Sequence, residues 1–491
     1  MAVVTLTLGA LGAGAQVRYV EASLGLEEPE LDGGYTEVEM GDVDGDGNVD
    51  LVSVGDHGSP YVNTDEHGVM VFFGDGRARW TVAQTGTFGY GGVALGDVNG
   101  DGFVDVAYGI HHDYSSDDLG DQLLEVALGD GTGLAWTPWD DGLGENGETW
   151  GMFGTDLADV DGDGDLDLAS ISFGCCAGVH VYLNQGDGTW VESFGFLGGN
   201  SRQELTFGDL DGDARPDVVV AHDAGTVYLG DGSGGFVPAD SNLPGGSYRV
   251  GVSVGDVDRD GADDLAWIRS GAPAVWGLGS DGLWRDLGAG LPASGDWQAT
   301  QLAEMNGDGL TDLMAFGDGL FTLWLGDGAG SWTPGGSFTT PSPGIYAAFR
   351  AGADADRNGL GDIVLVAEEG GGFSGKNVLR FFREATPPVE HSVRWLDPGE
   401  SRVLRAGATG FLRWATAVPF DRPDRSSRVS VAYRTEAAPR WSPIAVAVPD
   451  SGRLQWTVPP ELAGERLRVA VVSTSGGSRR AALSPELSVV P

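Results

Sequence analysis

Gly41-Asp42-Val43-Asp44-Gly45-Asp46-Gly47-Asn48-Val49-Asp50-Leu51-Val52-Ser53-Val54 is the stretch that decides how the rest of the chain reads. Counted from Asp42, acids stand at loop positions one, three, five and nine, and an apolar run follows directly. A hard dication takes roughly six to eight oxygens at about 2.3–2.6 Å, and acids on alternate residues of a tight turn converge their carboxylates on one point. Asp42, Asp44, Asp46 and Asp50 would supply side-chain oxygens to Ca2+, and Asn48 a backbone carbonyl. Gly47 permits the sharp turn that a side chain resists.

Six further copies follow. They are Asp97, Asn99, Asp101 and Asp105; Asp159, Asp161, Asp163 and Asp167; Asp209, Asp211, Asp213 and Asp217; Asp256, Asp258, Asp260 and Asp264; Glu304, Asn306, Asp308 and Asp312; and Asp354, Asp356, Asn358 and Asp362. Phe103, Asp165, Arg215, Ala262, Leu310 and Leu360 stand where Asn48 does and would each offer a backbone carbonyl. The fourth copy has Ala214 in place of the turn glycine and the sixth opens on the longer Glu304, so these are the two weakest of up to seven calcium sites. The pattern shares its first half with the EF-hand loop. It lacks a glutamate at position twelve and runs into residues suited to a strand rather than a helix, which excludes an EF-hand.

The copies start 55, 62, 50, 47, 48 and 50 residues apart, near the period of propellers and arrays. Behind each set of acids comes a buried-strand run, such as Val218-Val219-Val220-Ala221 or Ile363-Val364-Leu365-Val366. A second run follows ten to twenty residues on, and in six repeats it ends in a Gly-Asp-Gly-like turn and an aromatic: Trp80, Trp136, Trp190, Phe236, Trp284 and Trp332. Asp-Gly between extended runs favours the positive φ angles of a hairpin. Each unit therefore reads as four antiparallel strands, one propeller blade. The seventh unit runs from Val378-Leu379-Arg380-Phe381-Phe382 into Ala385-Thr386-Pro387-Pro388 without a fourth strand, while Val17 to Leu24 is a strand with no loop of its own. Pairing that N-terminal strand into the last blade closes a seven-bladed ring and leaves no open edge.

With the loops, their spacing and their number in view, residues 16–384 resemble the FG-GAP or VCBS repeats of integrin-alpha-type propellers, most specifically in Gly41 to Gly47 and Gly96 to Gly102. The resemblance implies that the loop acids are calcium ligands, that each loop joins the first two strands of a blade, and that ligands are engaged by loops on the opposite face. On that opposite face it places His57 and His67 of the first unit and His111, His112, Asp113 and Tyr114 of the second, as ligand-face candidates.

Composition agrees with an exported, calcium-loaded protein. Gly accounts for 83 of 491 residues, as expected where each blade needs several tight turns. Residues 1–384 carry 14 basic and 63 acidic side chains, −49, and residues 385–491 carry 14 and 10, +4. That shift marks two domains, and so acidic a surface excludes binding to nucleic acid. Residues 1–15 are apolar, with Ala13-Gly14-Ala15 before Gln16; they read as a signal-peptide remnant or as an unstructured apolar terminus. No stretch of ~18 apolar residues is present to span a bilayer. Cys175 and Cys176, the only cysteines, form either a vicinal disulfide or two thiols, and no redox or cysteine metal motif.

Residues 385–491 contain short alternating runs, among them Val393-Arg394-Trp395, Gly410 to Trp414, Val429 to Tyr433, Leu454 to Val458 and Leu467 to Val471. They predict a sandwich of about seven strands, weakly similar to the Ig-like or fibronectin-like modules of secreted wall proteins, with the alternating arginines facing solvent. With seven His and no Ser/His/Asp or His-x-x-x-His arrangement, the chain reads as a secreted or cell-surface, monomeric, non-catalytic adhesion or recognition module. Its partner would be an extracellular protein or glycan. The alternatives are a lectin using Phe88-Gly89-Tyr90, Trp150 or Trp297, and a polysaccharide lyase or hydrolase built around His111 and His112.

Overall fold

The computed structural model describes residues 17–26, 31–32, 36–55, 68–86, 88–89, 91–110, 118–144, 152–172, 178–197, 204–221, 227–245, 251–317, 319–341, 348–369, 376–397, 402–422, 425–438 and 440–491. Among these residues the chain is all-β, with one short 3-10 turn at Pro460–Leu462 and no helix long and apolar enough to cross a membrane.

Continuous apolar runs of Val, Leu, Ile and aromatics behind each acidic loop produce second strands buried on both faces, and Gly-Asp turns fold the later strands back on themselves. The first unit is Val38–Gly41, Asp50–Gly55, Gly68–Gly74 and Trp80–Thr85, paired antiparallel in sequence order. Five more four-stranded sheets of the same order begin at Val93, Met152, Leu205, Ser253 and Ala299. The seventh sheet joins Ala348–Ala351, Ile363–Glu369 and Lys376–Glu384 to the N-terminal strand Tyr19–Glu21, with Tyr19 opposite Glu384 and Glu21 opposite Phe382. The expected closure by the N-terminal strand is present, and Leu31–Asp32 adds a second short pairing to the same strand, opposite Asn377 and Lys376.

First strands of successive sheets touch in order, and that of the seventh touches that of the first, which closes the β-propeller ring. The apolar side chains form seven clusters, each drawn mainly from two neighbouring sheets. Between the seventh and first sheets, for example, Val364, Val366 and Phe381 pack with Leu51, Met70, Phe72 and Trp80. All six hairpin aromatics are buried at the start of a fourth strand. Four of them reach the preceding sheet by an indole hydrogen bond: Trp80 to Ala22 O at 3.1 Å, Trp190 to Trp139 O at 2.8 Å, Trp284 to Ala239 O at 2.8 Å and Trp332 to Leu287 O at 2.7 Å. Buried indole N–H groups favour such partners, and here they tie four sheets to the one before; the buried Trp136 indole has no such bond. Near the axis, Arg350 of the seventh sheet hydrogen-bonds Glu39 of the first and lies 3.7 Å from Glu204 beside the fourth.

Among the described residues from Ser392 onward there are nine strands, where the alternating runs predict about seven. A three-stranded sheet (Ser392–Asp397, Thr409–Ala417, Arg453–Thr457) faces a six-stranded one centred on Arg466–Ser475. Their shared core contains Leu412, Trp414, Val431, Trp456, Val469 and Val471. The extra strands, such as Val403–Arg405 and Leu487–Val490, are short and pair parallel at an edge, which leaves little alternation to read.

Candidate metal loops and the face they form

Every acidic loop joins the first and second strands of its sheet and is held by its own side chains. The position-three side chain accepts the N–H of position five, as Asp44 Oδ1 does from Asp46 at 3.0 Å. Position five accepts the N–H of position seven in all seven loops: Asp46 from Asn48, Asp101 from Phe103, Asp163 from Asp165, Asp213 from Arg215, Asp260 from Ala262, Asp308 from Leu310 and Asn358 from Leu360, at 2.7–3.0 Å. Position six takes positive φ throughout, and Ala214 adopts it at 65° without being glycine. Position four does so as well, at Gly45, Gly100, Gly162, Gly212, Arg259, Gly307 and Arg357, a second constraint that reading position six alone does not show.

In five loops three carboxylates each bring one oxygen within 4.8 Å of the others: Asp42, Asp44 and Asp50; Asp159, Asp161 and Asp167; Asp209, Asp211 and Asp217; Asp256, Asp258 and Asp260; Asp354, Asp356 and Asp362. The second and sixth loops do not form such a triad of acids. Each carries an amide at position three, and Asn99 and Asn306 turn their Nδ2 groups onto Asp101 and Asp308, both at 3.0 Å. Within the triads Asp42 Oδ1, Asp209 Oδ1 and Asp356 Oδ1 are buried without a hydrogen-bond partner. An all-oxygen donor set with orphaned buried carboxylate oxygens fits a hard cation such as Ca2+.

Position nine has a further task that its reading as a ligand leaves out. One oxygen of Asp50, Asp105, Asp167, Asp217, Asp264, Asp312 and Asp362 accepts the N–H of the second loop residue, at 2.7–3.0 Å. In six of them the other oxygen accepts a backbone N–H from the third strand. Burial raises these carboxyls far above the ordinary carboxylate range. Asp50, Asp167, Asp217, Asp264 and Asp312 are pushed up to about 8 and Asp105 to about 7, with loop neighbours adding to the rise. Position one responds in the same way. Burial and then the facing acids lift Asp42 to about 7, and burial lifts Asp159 and Asp256 to about 6, Asp209 to about 7 and Asp354 to about 8.

The arginines of the C-terminal sandwich do not simply face solvent, as alternation suggests; several of them face this ring of loops. Arg402 donates to both oxygens of Asp263 at 2.6 and 3.0 Å. Arg405 donates to Asp161 O and Gly232 O, each at 3.1 Å. Arg394 pairs with Glu304 and donates to Gly359 O at 2.7 Å. Arg453 stacks 3.5 Å over Phe411 and donates to Leu95 O at 3.3 Å. Neutral groups complete the contact: Gln455 clasps the backbone of Asp97 through two hydrogen bonds, and the Thr409 N–H donates to Asp159 Oδ2 at 2.8 Å. Arg357 of the seventh loop reaches Ser427 at 2.6 Å. A strand period of two puts alternate residues on one face but does not say what that face meets.

Of the residues read as serving the opposite face, His57, His67, His111, His112, Asp113 and Tyr114 lie outside the described residues, as do Tyr90, Trp150, Cys175 and Cys176. Phe88 is not an exposed platform: it is fully buried and stacks on Tyr108 with centroids 4.9 Å apart. Trp297 packs edge-on against Trp324 at 5.4 Å and donates to Thr322 Oγ1.

No curated protein matches the chain. Among solved structures, an Agrocybe aegerita lectin described as recognising non-reducing terminal N-acetylglucosamine is similar at 18% identity, over 61% of this chain and 79% of that one, with a TM-score of 0.43. A Lactobacillus plantarum protein is similar at 16% identity, over 60% and 83%, with a TM-score of 0.40. The SapL1 lectin in complex with alpha methyl fucoside is similar at 14% identity, over 62% and 97%, with a TM-score of 0.36. Within the ring itself, residues 159–220, 209–267 and 304–365 each match the FG-GAP-like repeat, and each match begins at the first residue of an acidic loop.

Proposed function

We propose that this chain is a secreted, calcium-stabilised seven-bladed propeller that acts as a non-catalytic adhesion or recognition module, with an Ig-like or fibronectin-like C-terminal sandwich. The observation that carries the reading is the convergence of three carboxylate oxygens within 4.8 Å in five separate loops. Carboxylates so close repel one another unless a cation or proton sits among them. The three FG-GAP-like matches support the same reading. Calcium would be held by the position-one, -three, -five and -nine side chains and the position-seven carbonyl, and would fasten the loop that joins the first two strands of each blade. Its contribution is rigidity, which holds the loops of the other face ready for an extracellular protein or glycan.

A site filled at a hundredfold its Kd contributes about 2.7 kcal/mol when the unfolded chain does not bind. Thermal unfolding in calcium-saturated buffer and in excess chelator is the test: a fall in Tm of about ten degrees or more on chelation is expected, and coincident curves would sink the reading. Glycan-array binding by the calcium-loaded protein separates a sugar ligand from a protein one, and turnover of wall polysaccharide would reassign the module as an enzyme.

A further inference from the structure

The C-terminal sandwich covers the loop face, and one of its contacts differs in kind from the rest. Arg394 lies on Ser392–Asp397, the first strand after the ring ends at Glu384. Its guanidinium pairs with the Glu304 carboxylate, which is position one of the sixth loop, and its second terminal nitrogen donates to Gly359 O of the seventh. Arg402 pairs instead with Asp263, which stands at position eight and is not a ligand position. The Arg394 pair thus falls on a position-one carboxylate itself.

We propose that the sixth loop is not a calcium site but the calcium-independent docking point of the C-terminal domain, with Arg394 in the role that a dication has in the other loops. The proposal rests on the reading that those other loops bind calcium. Both Glu304 oxygens are already engaged: Oε1 accepts the N–H groups of Asn306, at 3.1 Å, and of Gly307, and Oε2 accepts Arg394. At the same position Asp42 and Asp209 keep an orphaned oxygen, and the oxygens of Asp97, Asp159, Asp256 and Asp354 accept backbone N–H groups; what sets Glu304 apart is that a cationic side chain holds its second oxygen. Ca2+ bound to Glu304 would sit beside a guanidinium that shares its ligand, and like charges at such range repel. Arg394 is also covalently attached, so it meets the loop at an effective concentration that does not fall when calcium is withdrawn. The extra methylene of Glu304 has a use on this account, since it carries the carboxylate outward toward the sandwich. The departure from Asp that marks this copy in the sequence is then a docking adaptation.

Calcium counted by native mass spectrometry on the full chain at saturating calcium tests this. Asp308→Ala alters only the sixth loop at an exposed position, and Asp44→Ala serves as the control in the first. Asp44→Ala is expected to bind one ion fewer than the wild type and Asp308→Ala the same number. Arg394→Ala is expected to bind one more, and Arg394→Ala with Asp308→Ala to return to the wild-type number. One ion lost in Asp308→Ala, or no ion gained in Arg394→Ala, overturns the proposal while leaving the other loops as calcium sites. Should Arg394→Ala not fold, the Asp308→Ala count decides by itself. A wild-type protein that binds no calcium at all overturns the reading of the loops and this proposal with it.

Discussion

Asp50 Oδ1 accepts the backbone N–H of Gly74 at 2.8 Å, across 24 residues of chain, while its Oδ2 accepts Val43 N–H at 3.0 Å. Loop and third strand are thereby tied through one carboxylate, and the tie recurs between Asp105 and Gly129, Asp167 and Asn184, Asp217 and Gly230, Asp312 and Gly326, and Asp362 and Glu384. A residue read only as a metal ligand is thus also a structural brace that works whether or not a cation is bound.

The two roles separate by mutation. Asp50→Ala leaves the Val43 and Gly74 N–H groups without acceptors, at about 1–3 kcal/mol each, so a loss of about 2–6 kcal/mol is expected in excess chelator at about pH 4, where the raised pKa of Asp50 carries no offsetting penalty. Asp44→Ala removes a triad carboxylate that braces only the loop itself. It should cost under about 1 kcal/mol in chelator and erase one site's calcium-dependent stabilisation. Urea unfolding of both variants with and without calcium measures the difference. Equal losses in chelator would contradict the brace.

The ring was legible because its signals are local and repeated. Asp42 to Asp50 carries loop, turn and strand in nine consecutive residues, and Trp80 and its counterparts mark each hairpin. The closing strand could be inferred because Val17 to Leu24 lacked a loop and the last unit lacked a strand. The docking of the sandwich was not legible, since Arg402 and Asp263 lie 139 residues apart, Arg402 sits in no motif and Asp263 stands at a loop position to which the motif gives no role. Phe88 misled for the opposite reason: an aromatic in a glycine-rich stretch resembles a loop platform, but its ring is fully buried and stacks on Tyr108.

Ala214 offers a test of the turn itself. It holds φ at 65°, where an L residue bears about 1–2 kcal/mol of strain. Ala214→Gly relieves that strain and loosens the unfolded chain by about 0.4–1 kcal/mol. A net gain of about 0.5–1 kcal/mol is therefore expected in chemical denaturation. A loss would show that the loop has another conformation in solution.

Arg402 and Asp263 make the most complete inter-domain ion pair among the described residues, with two hydrogen bonds and a carboxylate that also accepts Asp209 N–H at 2.9 Å. Breaking one partner of a buried pair is costly, and partial exposure of Arg402 reduces the cost to about 2 kcal/mol. Arg402→Ala should lower stability by about that amount, and Arg402→Lys should recover only part of it because an ammonium does not span both oxygens. Denaturation of the full chain in calcium reads the loss. A change under about 0.5 kcal/mol in Arg402→Ala would mean that the domains are held by the other contacts.

Acidity gives the loops a sign that calcium must reverse. Burial raises Asp50, Asp167, Asp217, Asp264 and Asp312 to about 8 in the folded chain, against about 3.9 for an unperturbed Asp. Between those values the folded state binds more protons than the unfolded state, so stability in the absence of metal falls as pH rises from about 4 to about 8. Below that window both states are protonated, and the penalty vanishes. Calcium displaces these protons on binding, so its apparent affinity should increase over the same range. Melting curves in chelator from pH 5 to pH 8 should therefore show Tm decreasing, whereas curves in saturating calcium should be flat or rise. A chelated protein that gained stability toward pH 8 would show that these carboxylates are ionised at no cost, and that the loops have no need of a cation.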